Sequence, residues 1–338
     1  MTANDFFNFY SKKIVPICTL CAIITLVFFI KKGEGYMSVL GFLFNCDEHH
    51  PTLPDKQYAQ EYNYLVSRGV RVFLFDFSEI QEGEQLNWER AAEKTYIVYR
   101  GWMLNEFQYD RLYDALKEKN YEMIVDPYCY RECHYLNYWY PKLQRLTAKS
   151  VYSHGLVDDK AIMKMLAEFG NKSVIVKDYV KSRKHEWYES CFIEDASNTE
   201  KAMEVIHHFI ERQADKFSGG LVLREYLDII QTGVHFESHM PISEEIRIYC
   251  YKGEPICFIS YWSGGMVQMD KSFIEAIDKC AILDSPFYTI DLAKKTDDTW
   301  ALIEVGDGQV SHLRGYDISK FYDCFLSLLV RDYDVYRL

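Results

Sequence analysis

Four apolar runs of strand length recur between Ser38 and Asp126: "SVLGFLF", "VRVFLFDF", "KTYIVYRG" and "YEMIVD". Strands that are apolar at nearly every position need cover on both faces, which a parallel sheet between helices supplies. The stretches between them have helical spacing: "DKQYAQEYNYLVSRG", ending at Gly69, and "LNEFQYDRLYDALKEKNY". The pattern predicts a small open-sheet α/β domain over residues 37–145. Its last part, the aromatic stretch "PYCYRECHYLNYWYPKL", reads as a loop-rich segment packing one domain on the next, with an aromatic binding platform as the alternative.

Beyond that stretch the pattern changes. "SVIVKDY", "SCFIED", "GLVLREYLDI", "EEIRIYCYKGEPICFISYW", "FYTIDLAKK" and "TWALIEVGDG" read as strands. Helices are expected at "VDDKAIMKMLAEFG", "NTEKAMEVIHHFIERQAD", near Lys271–Cys280 and at "DISKFYDCFLSLLVRDYD". Strands joined as successive hairpins predict antiparallel sheets in a second domain, residues 146–338. The fold class is therefore α/β in its first part and α+β overall.

Residues 1–36 stand apart. Ile14–Ile30 runs for 17 residues without a charge, between Lys12-Lys13 and Lys31-Lys32. That is about the lower limit for a membrane-spanning helix, so a span or signal anchor is one reading. The other starts translation at Met37, since codons for Gly33-Glu34-Gly35-Tyr36 can spell a purine-rich ribosome-binding sequence. A membrane partner is expected only if residues 14–30 are translated.

The net charge of -12, or -14 without the first 36 residues, argues against a nucleic-acid binder, which needs a broad basic face. Ten cysteines show no disulfide rhythm, so a reducing, cytoplasmic setting is expected. Cys129, Cys133 and His134 lack a fourth zinc ligand, and His235, Glu237 and His239 fall in an expected loop.

Four groups of residues carry chemistry. Lys177 ends an apolar strand, where an ammonium either snorkels to water or meets an anion. The basic hook "VKSRKH" follows it. In "LVLREYLDI", Arg224 and Glu225 close a strand, and Tyr226, Leu227 and Asp228 form a linker able to hydrogen-bond a base and its ribose. Arg247 alternates with Ile246 and Ile248, so it shares one sheet face with Glu245 and Tyr249 and suits a phosphate or carboxylate. Asp291 and Glu304, with Asp307, read as carboxylates that a divalent cation would join.

In this order, these pieces resemble the ATP-grasp superfamily. The phrases "VIVKDYVKSRKH", "LVLREYL", "YRGWML" and "IEVGDGQVS" look more narrowly like its bacterial and phage clade named for two arginines and a lysine. The resemblance runs from about Met37 to the C-terminus. It implies ATP and Mg2+ as cofactors, with Lys177 on the α- and β-phosphates and Glu225 on adenine N6. The backbone of Tyr226 and Leu227 would complete the base contact, and Asp228 would lie near the ribose. Arg247 would face the γ-phosphate, Arg224 would be one of the clade's arginines, and Arg100 would face the acceptor. Asp291 and Glu304 would hold magnesium.

There are two departures. Gly306 stands where the family has an asparagine, leaving Asp307 to substitute. The glycine-rich phosphate flap is replaced by the hook, with Lys181 and Arg183 expected to act as a charged lid.

The function implied is an ATP-dependent ligase that joins a small-molecule or peptide carboxylate to an amine or similar nucleophile. Lys177, Arg224 and Arg247 would be its catalytic residues. The alternatives are a phosphotransferase and a non-catalytic nucleotide-binding regulator. The acceptor and the oligomeric state are unspecified.

Overall fold

In the computed structural model, which describes residues 39–81, 88–260 and 270–333, the first apolar run becomes β1 (Val39–Asp47), buried along nearly its whole length. It pairs in parallel with β3 (Arg71–Phe75) on one side and β4 (Thr95–Arg100) on the other, and β4 pairs in parallel with β5 (Tyr121–Met123). β2 (His50–Pro54) folds back antiparallel on the end of β1. The open parallel sheet is thus present. Helix α1 (Ala59–Ser67) follows the β2 return, and α2 (Glu106–Glu118) starts at a reciprocal cap between Asn105 and Gln108.

The described residues divide into two compact units, 39–130 with 307–333, and 131–306. A single cut at 145/146 was expected. Instead the C-terminal helix α9 (Ile318–Tyr333) joins the first unit, because its apolar face meets β1. Tyr322 and Phe325 both set their rings edge-on to Phe42, at 5.6 and 6.3 Å.

A buried polar network ties this unit together. Arg100 is fully enclosed and forks onto Glu61, Nε to Oε2 at 3.0 Å and Nη2 to Oε1 at 2.9 Å. Its Nη1 donates to the carbonyls of Gly308, Gln309 and Ser311 at 2.7, 3.0 and 3.0 Å. The Tyr322 hydroxyl donates to the same glutamate. Arg100 was expected to face an acceptor. With no exposed surface and its guanidinium given to Glu61 and three carbonyls, it is a structural tie instead.

Asp307 belongs to the same region. Its carboxyl is fully buried and accepts from the Gln309 amide at 2.9 Å. Burial raises it to about 7, against the opposing hydrogen bonds of Gln309 and the charge of Arg100. In that state the folded chain keeps a proton that the unfolded chain loses near pH 4. Stability should therefore fall as pH rises from about 4 to about 7, by at most about 1.4 kcal/mol per pH unit. Asp307→Asn should flatten that slope in urea unfolding followed across the same range. An unchanged slope would assign it to another group.

The second unit holds two antiparallel sheets. One has the order β6 (Ser150–Tyr152), β9 (Val222–Glu225), β7 (Val174–Lys177), β8 (Phe192–Ile193). Helices α5 (Asp159–Ala167) and α7 (Thr199–Gln213), with the one-turn α6 (Trp187–Ser190) between them in the chain, accompany it, and α5 and α7 bury Ile162, Leu166, Ala202, Ile206 and Phe209 against Val174, Val176 and Leu223. The other has the order β13 (Glu254–Ser260), β12 (Glu245–Tyr251), β14 (Phe287–Lys294), β15 (Trp300–Asp307), with α8 (Lys271–Cys280) packed on it. The turn between β12 and β13 places Lys252 and Gly253 at φ 50 and 81°, the left-handed pair that a two-residue hairpin requires. A small hairpin, β10 (Gln231–Val234) with β11 (Pro241–Ser243), stands between the sheets in the chain.

The aromatic stretch is not loop-rich. It forms α3 (Pro127–His134) and α4 (Leu136–Leu143). Asp126 caps the first helix by accepting from Cys129 N at 2.8 Å, and Pro127 suits a first helical position. Tyr135, Leu136, Trp139 and Leu143 then enter the core of the second unit.

Among the described residues no helix is long and apolar enough to cross a membrane, and no three His, Cys, Asp or Glu side chains are grouped to hold a metal ion. Residues 14–30, the Gly33–Tyr36 stretch and Met37 lie outside the described residues.

Candidate functional site

The two sheets of the second unit are joined at one corner. Thr147 bridges Leu302, Leu302 N donates to Leu146 O at 2.9 Å, and Arg224 Nη2 donates to Ile303 O at 2.8 Å. The strand-end charges noted in the sequence converge beside this seam. Lys177 Nζ lies 3.1 Å from Glu304 Oε1, although 127 residues separate them. Arg247 and Asp291 are register partners on β12 and β14, joined by a two-bond fork of 2.8 and 2.7 Å. In the β14–β15 hairpin, Lys295 N donates to Thr299 O and the Thr289 hydroxyl to Gly306 O. Counting along the strands from these bonds sets Glu304 within a residue of being opposite Asp291.

Burial alone would raise the Glu304 carboxyl, but Lys177, Lys184 and Lys181 hold it down at about 2. Its side chain keeps 34% of its surface exposed, so the group lies in a recess open at the mouth and ringed by protein. Lys181 is reached by solvent in the same way, yet crowding lowers its pKa, with Lys177 adding to the effect and Glu304 opposing it. His134 is buried nearby and held neutral at about 3, by desolvation first and then by the lysines.

Arg224 is also buried, and that burial lowers it to about 10. Its guanidinium lies over the Trp139 ring at 5.5 Å. Nη2 is spent on Thr147 and the Leu302 and Ile303 carbonyls, while Nη1 has no hydrogen-bond partner.

A hollow opens beside these charges. The 224–227 linker forms one wall, with Arg224, Glu225, Tyr226 and Leu227 all lining it. Ile175, Trp187, Ile229, Met240 and Ile303 make an apolar floor, and Lys184 and Glu245 add charge. Trp187 is held by stacking on Phe192, with centroids 5.1 Å apart and planes within 7°. The arrangement is a largely apolar hollow with Lys184, Arg224, Glu225 and Glu245 on its lining, next in the chain to the Arg247–Asp291 and Lys177–Glu304 pairs. It suits a planar ring carrying a polyanionic tail.

The segment 168–324, somewhat under half of the chain, matches the family model for the ATP-grasp domain, family 3 of the clade named for two arginines and a lysine. Residues 168–324 are an ATP-grasp domain. No curated protein sequence matches the chain. Among solved structures, D-cycloserine synthetase DcsG superposes with a TM-score of 0.56 at 12% identity, covering 86% of this chain and 99% of its own. The D-alanine–D-alanine ligase of Bacillus anthracis, solved with ATP, gives 0.54 at 12% identity, covering 88% and 99%. The ligase PsnB, solved with a precursor variant, Mg and ADP, gives 0.53 at 12% identity, covering 88% and 99%. At such identity the likeness is one of fold.

Within this ATP-grasp domain the expected residues divide. Lys177, Lys181, Arg247, Asp291 and Glu304 come together, and Arg224, Glu225, Tyr226 and Leu227 line the hollow. Glu225 is already paired, its Oε1 2.7 Å from Lys172 Nζ, and the Tyr226 amide donates to Ser173 O. Asp228 is exposed and accepts from the Thr296 hydroxyl at 2.7 Å, outside the lining of the hollow.

Two placements differ from expectation. Arg183 turns away from the recess and forks onto Glu186, at 2.7 and 2.9 Å. Asp307 cannot share a face with Glu304, because residues three apart on a strand point to opposite sides. The sequence assigns no role to Trp187 or Met240, places Lys184 in the hook without singling it out, and offers His134 only as part of an incomplete zinc set. For Trp187 the only sequence signal is its position two residues after the hook.

Proposed function

We propose that the chain is an ATP-dependent ligase. The observation that carries this reading is the hollow itself. Lys177, Lys181, Lys184, Arg224 and Arg247 gather around Asp291 and Glu304 beside a largely apolar hollow that Glu225 and Glu245 also line. The fit to ATP is supported by the apolar slot and by the orphaned Nη1 of Arg224, a buried donor that lacks an acceptor. Leu227, rather than the occupied Tyr226 amide, would offer backbone to the base edge.

Magnesium would be held by Asp291 and Glu304. Each now accepts from a cation, and phosphate oxygens arriving at Arg247 and Lys177 would release both carboxylates. The metal, when bound, supplies charge neutralisation of the phosphates. Asp307 would take no part in that set.

In the reaction proposed, a carboxylate oxygen of the acceptor attacks the γ-phosphorus and ADP leaves. An amine nitrogen then attacks the acyl carbon, and inorganic phosphate leaves as the nitrogen loses a proton. Lys177, Lys181 and Arg247 would stabilise the transferring phosphoryl charge, which is the main catalytic demand of such a step. No protein nucleophile is needed. A small molecule or a peptide would serve as acceptor.

Gly306 supports a second reading, a nucleotide-binding regulator without turnover, since it leaves two carboxylates for the metal. Incubating the full chain with ATP, magnesium and pooled amino acids and peptides separates the readings. ADP release that requires an acceptor and yields a joined product is expected. A phosphorylated acceptor with no joined product would indicate a phosphotransferase. Tight ATP binding without turnover across the panel would indicate the regulator.

A further inference from the structure

The basic hook is fastened at both ends. At its start Asp178, fully buried, accepts from the amides of Val180 and Lys181 at 2.7 and 2.6 Å. Its second oxygen takes Gln213 Nε2 at 2.8 Å and the Ser218 amide at 3.2 Å. Ser182 bridges back to Lys177 on β7.

At the far end Glu186 is gripped from three sides. Arg183 forks onto it, Arg212 Nη1 lies at 3.0 Å, and the hydroxyl of buried Ser190 donates at 2.7 Å. Arg183 Nη1 reaches on to Arg212 O at 3.0 Å and to Gln213 Oε1 at 3.3 Å. Both fastenings therefore end on the last residues of α7, and Gln213 touches both.

Between the two anchors lie Lys181, at the recess, and Lys184, which lines the hollow. A cover without glycine cannot take its shape from backbone freedom, so its shape must come from side-chain bonds. The bonds to Asp178 and Glu186 supply that shape, and they fix the direction in which the two lysines leave the chain.

We propose that Glu186, clasped by Arg183, Arg212 and Ser190, is a positioning residue that presets Lys184 over the phosphate end of the nucleotide slot. The hook is then a preformed cation platform rather than a flap that must order around its ligand. Holding donors in place beforehand removes an ordering cost from binding. This inference rests on the nucleotide reading above.

The test is a double-mutant cycle on nucleotide affinity in the full chain, with ATP and adenosine as the two probes. Lys184→Ala should weaken ATP about tenfold, as expected for losing a charge-assisted bond. Glu186→Gln should weaken it to a similar extent, and the double variant should be no worse than Lys184→Ala, since both remove the same interaction. Adenosine affinity should stay at the wild-type value in all three, which general damage to the fold would not allow. Should Glu186→Gln fail to fold, Ser190→Ala loosens the clasp by one bond and should weaken ATP about threefold with adenosine unaffected.

Additive losses in the cycle, or an adenosine affinity that falls in step with ATP, would overturn the clasp while leaving the nucleotide site standing. A wild-type chain that binds neither probe would remove the nucleotide reading and this inference with it.

Discussion

Lys177→Ala is expected to reduce ATP turnover by roughly 10²- to 10³-fold, the loss typical when one preorganised donor to a transferring group is removed. The lysine ends β7, where Val174 and Val176 anchor the strand in the core, so its ammonium has little freedom to move. Only 10% of its side chain is exposed, and its partner Glu304 is held ionised. Truncation removes the central cation of the recess and leaves Glu304 facing Lys181 and Lys184. Those lysines limit the cost to stability to about 1 kcal/mol, the usual scale for a solvent-reached pair. A urea midpoint only slightly lowered, with turnover lost, is therefore the expected result. Lys177→Arg should not rescue it, because a planar fork needs room that the packed strand end does not provide. Turnover unchanged in Lys177→Ala would take Lys177 out of the site.

That result depends on residues whose convergence the sequence displays only in part. Lys177, Arg247, Asp291 and Glu304 each end or interrupt an apolar strand, and a charge in such a setting must reach either water or a partner. Their strands are visible because runs of apolar residues at strand length leave a plain pattern. What is not visible is which partner each charge meets. Arg183 reads like Lys181 in the hook, yet Glu186, three residues on, captures it. Asp307 reads as a substitute for a missing metal ligand, but counting strand positions from Glu304 places it on the other face. That parity holds only because β15 continues through Gly306 to Asp307, and a glycine there is equally compatible with a turn.

The two helices across 127–143 are hidden for another reason. Six Tyr and Trp residues in that span mask helical spacing, while the Asp126–Pro127 start that sets the first helix is also a common turn signal. The return of α9 to the first unit depends on Phe42 meeting Tyr322 and Phe325, a long-range pairing that no local pattern encodes.

The second large effect lies in the first unit. Arg100→Met is expected to destabilise the chain by about 3–5 kcal/mol, because it leaves Glu61 buried without its countercharge. Glu61 would retain the Tyr322 hydroxyl, which cannot neutralise it, and the carbonyls of Gly308, Gln309 and Ser311 would lose their shared donor. Replacing both charges, as Arg100→Met with Glu61→Leu, should recover part of the loss, since neither ion then stays buried. The recovery should be incomplete because the three carbonyls still lack a donor. Urea unfolding of the single and double variants measures both steps. An Arg100→Met chain with a wild-type midpoint but a raised KM for the acceptor would restore the role first read from "YRGWM". With Nε, Nη1 and Nη2 all directed at Glu61 and backbone oxygens, the guanidinium has no edge left for that task.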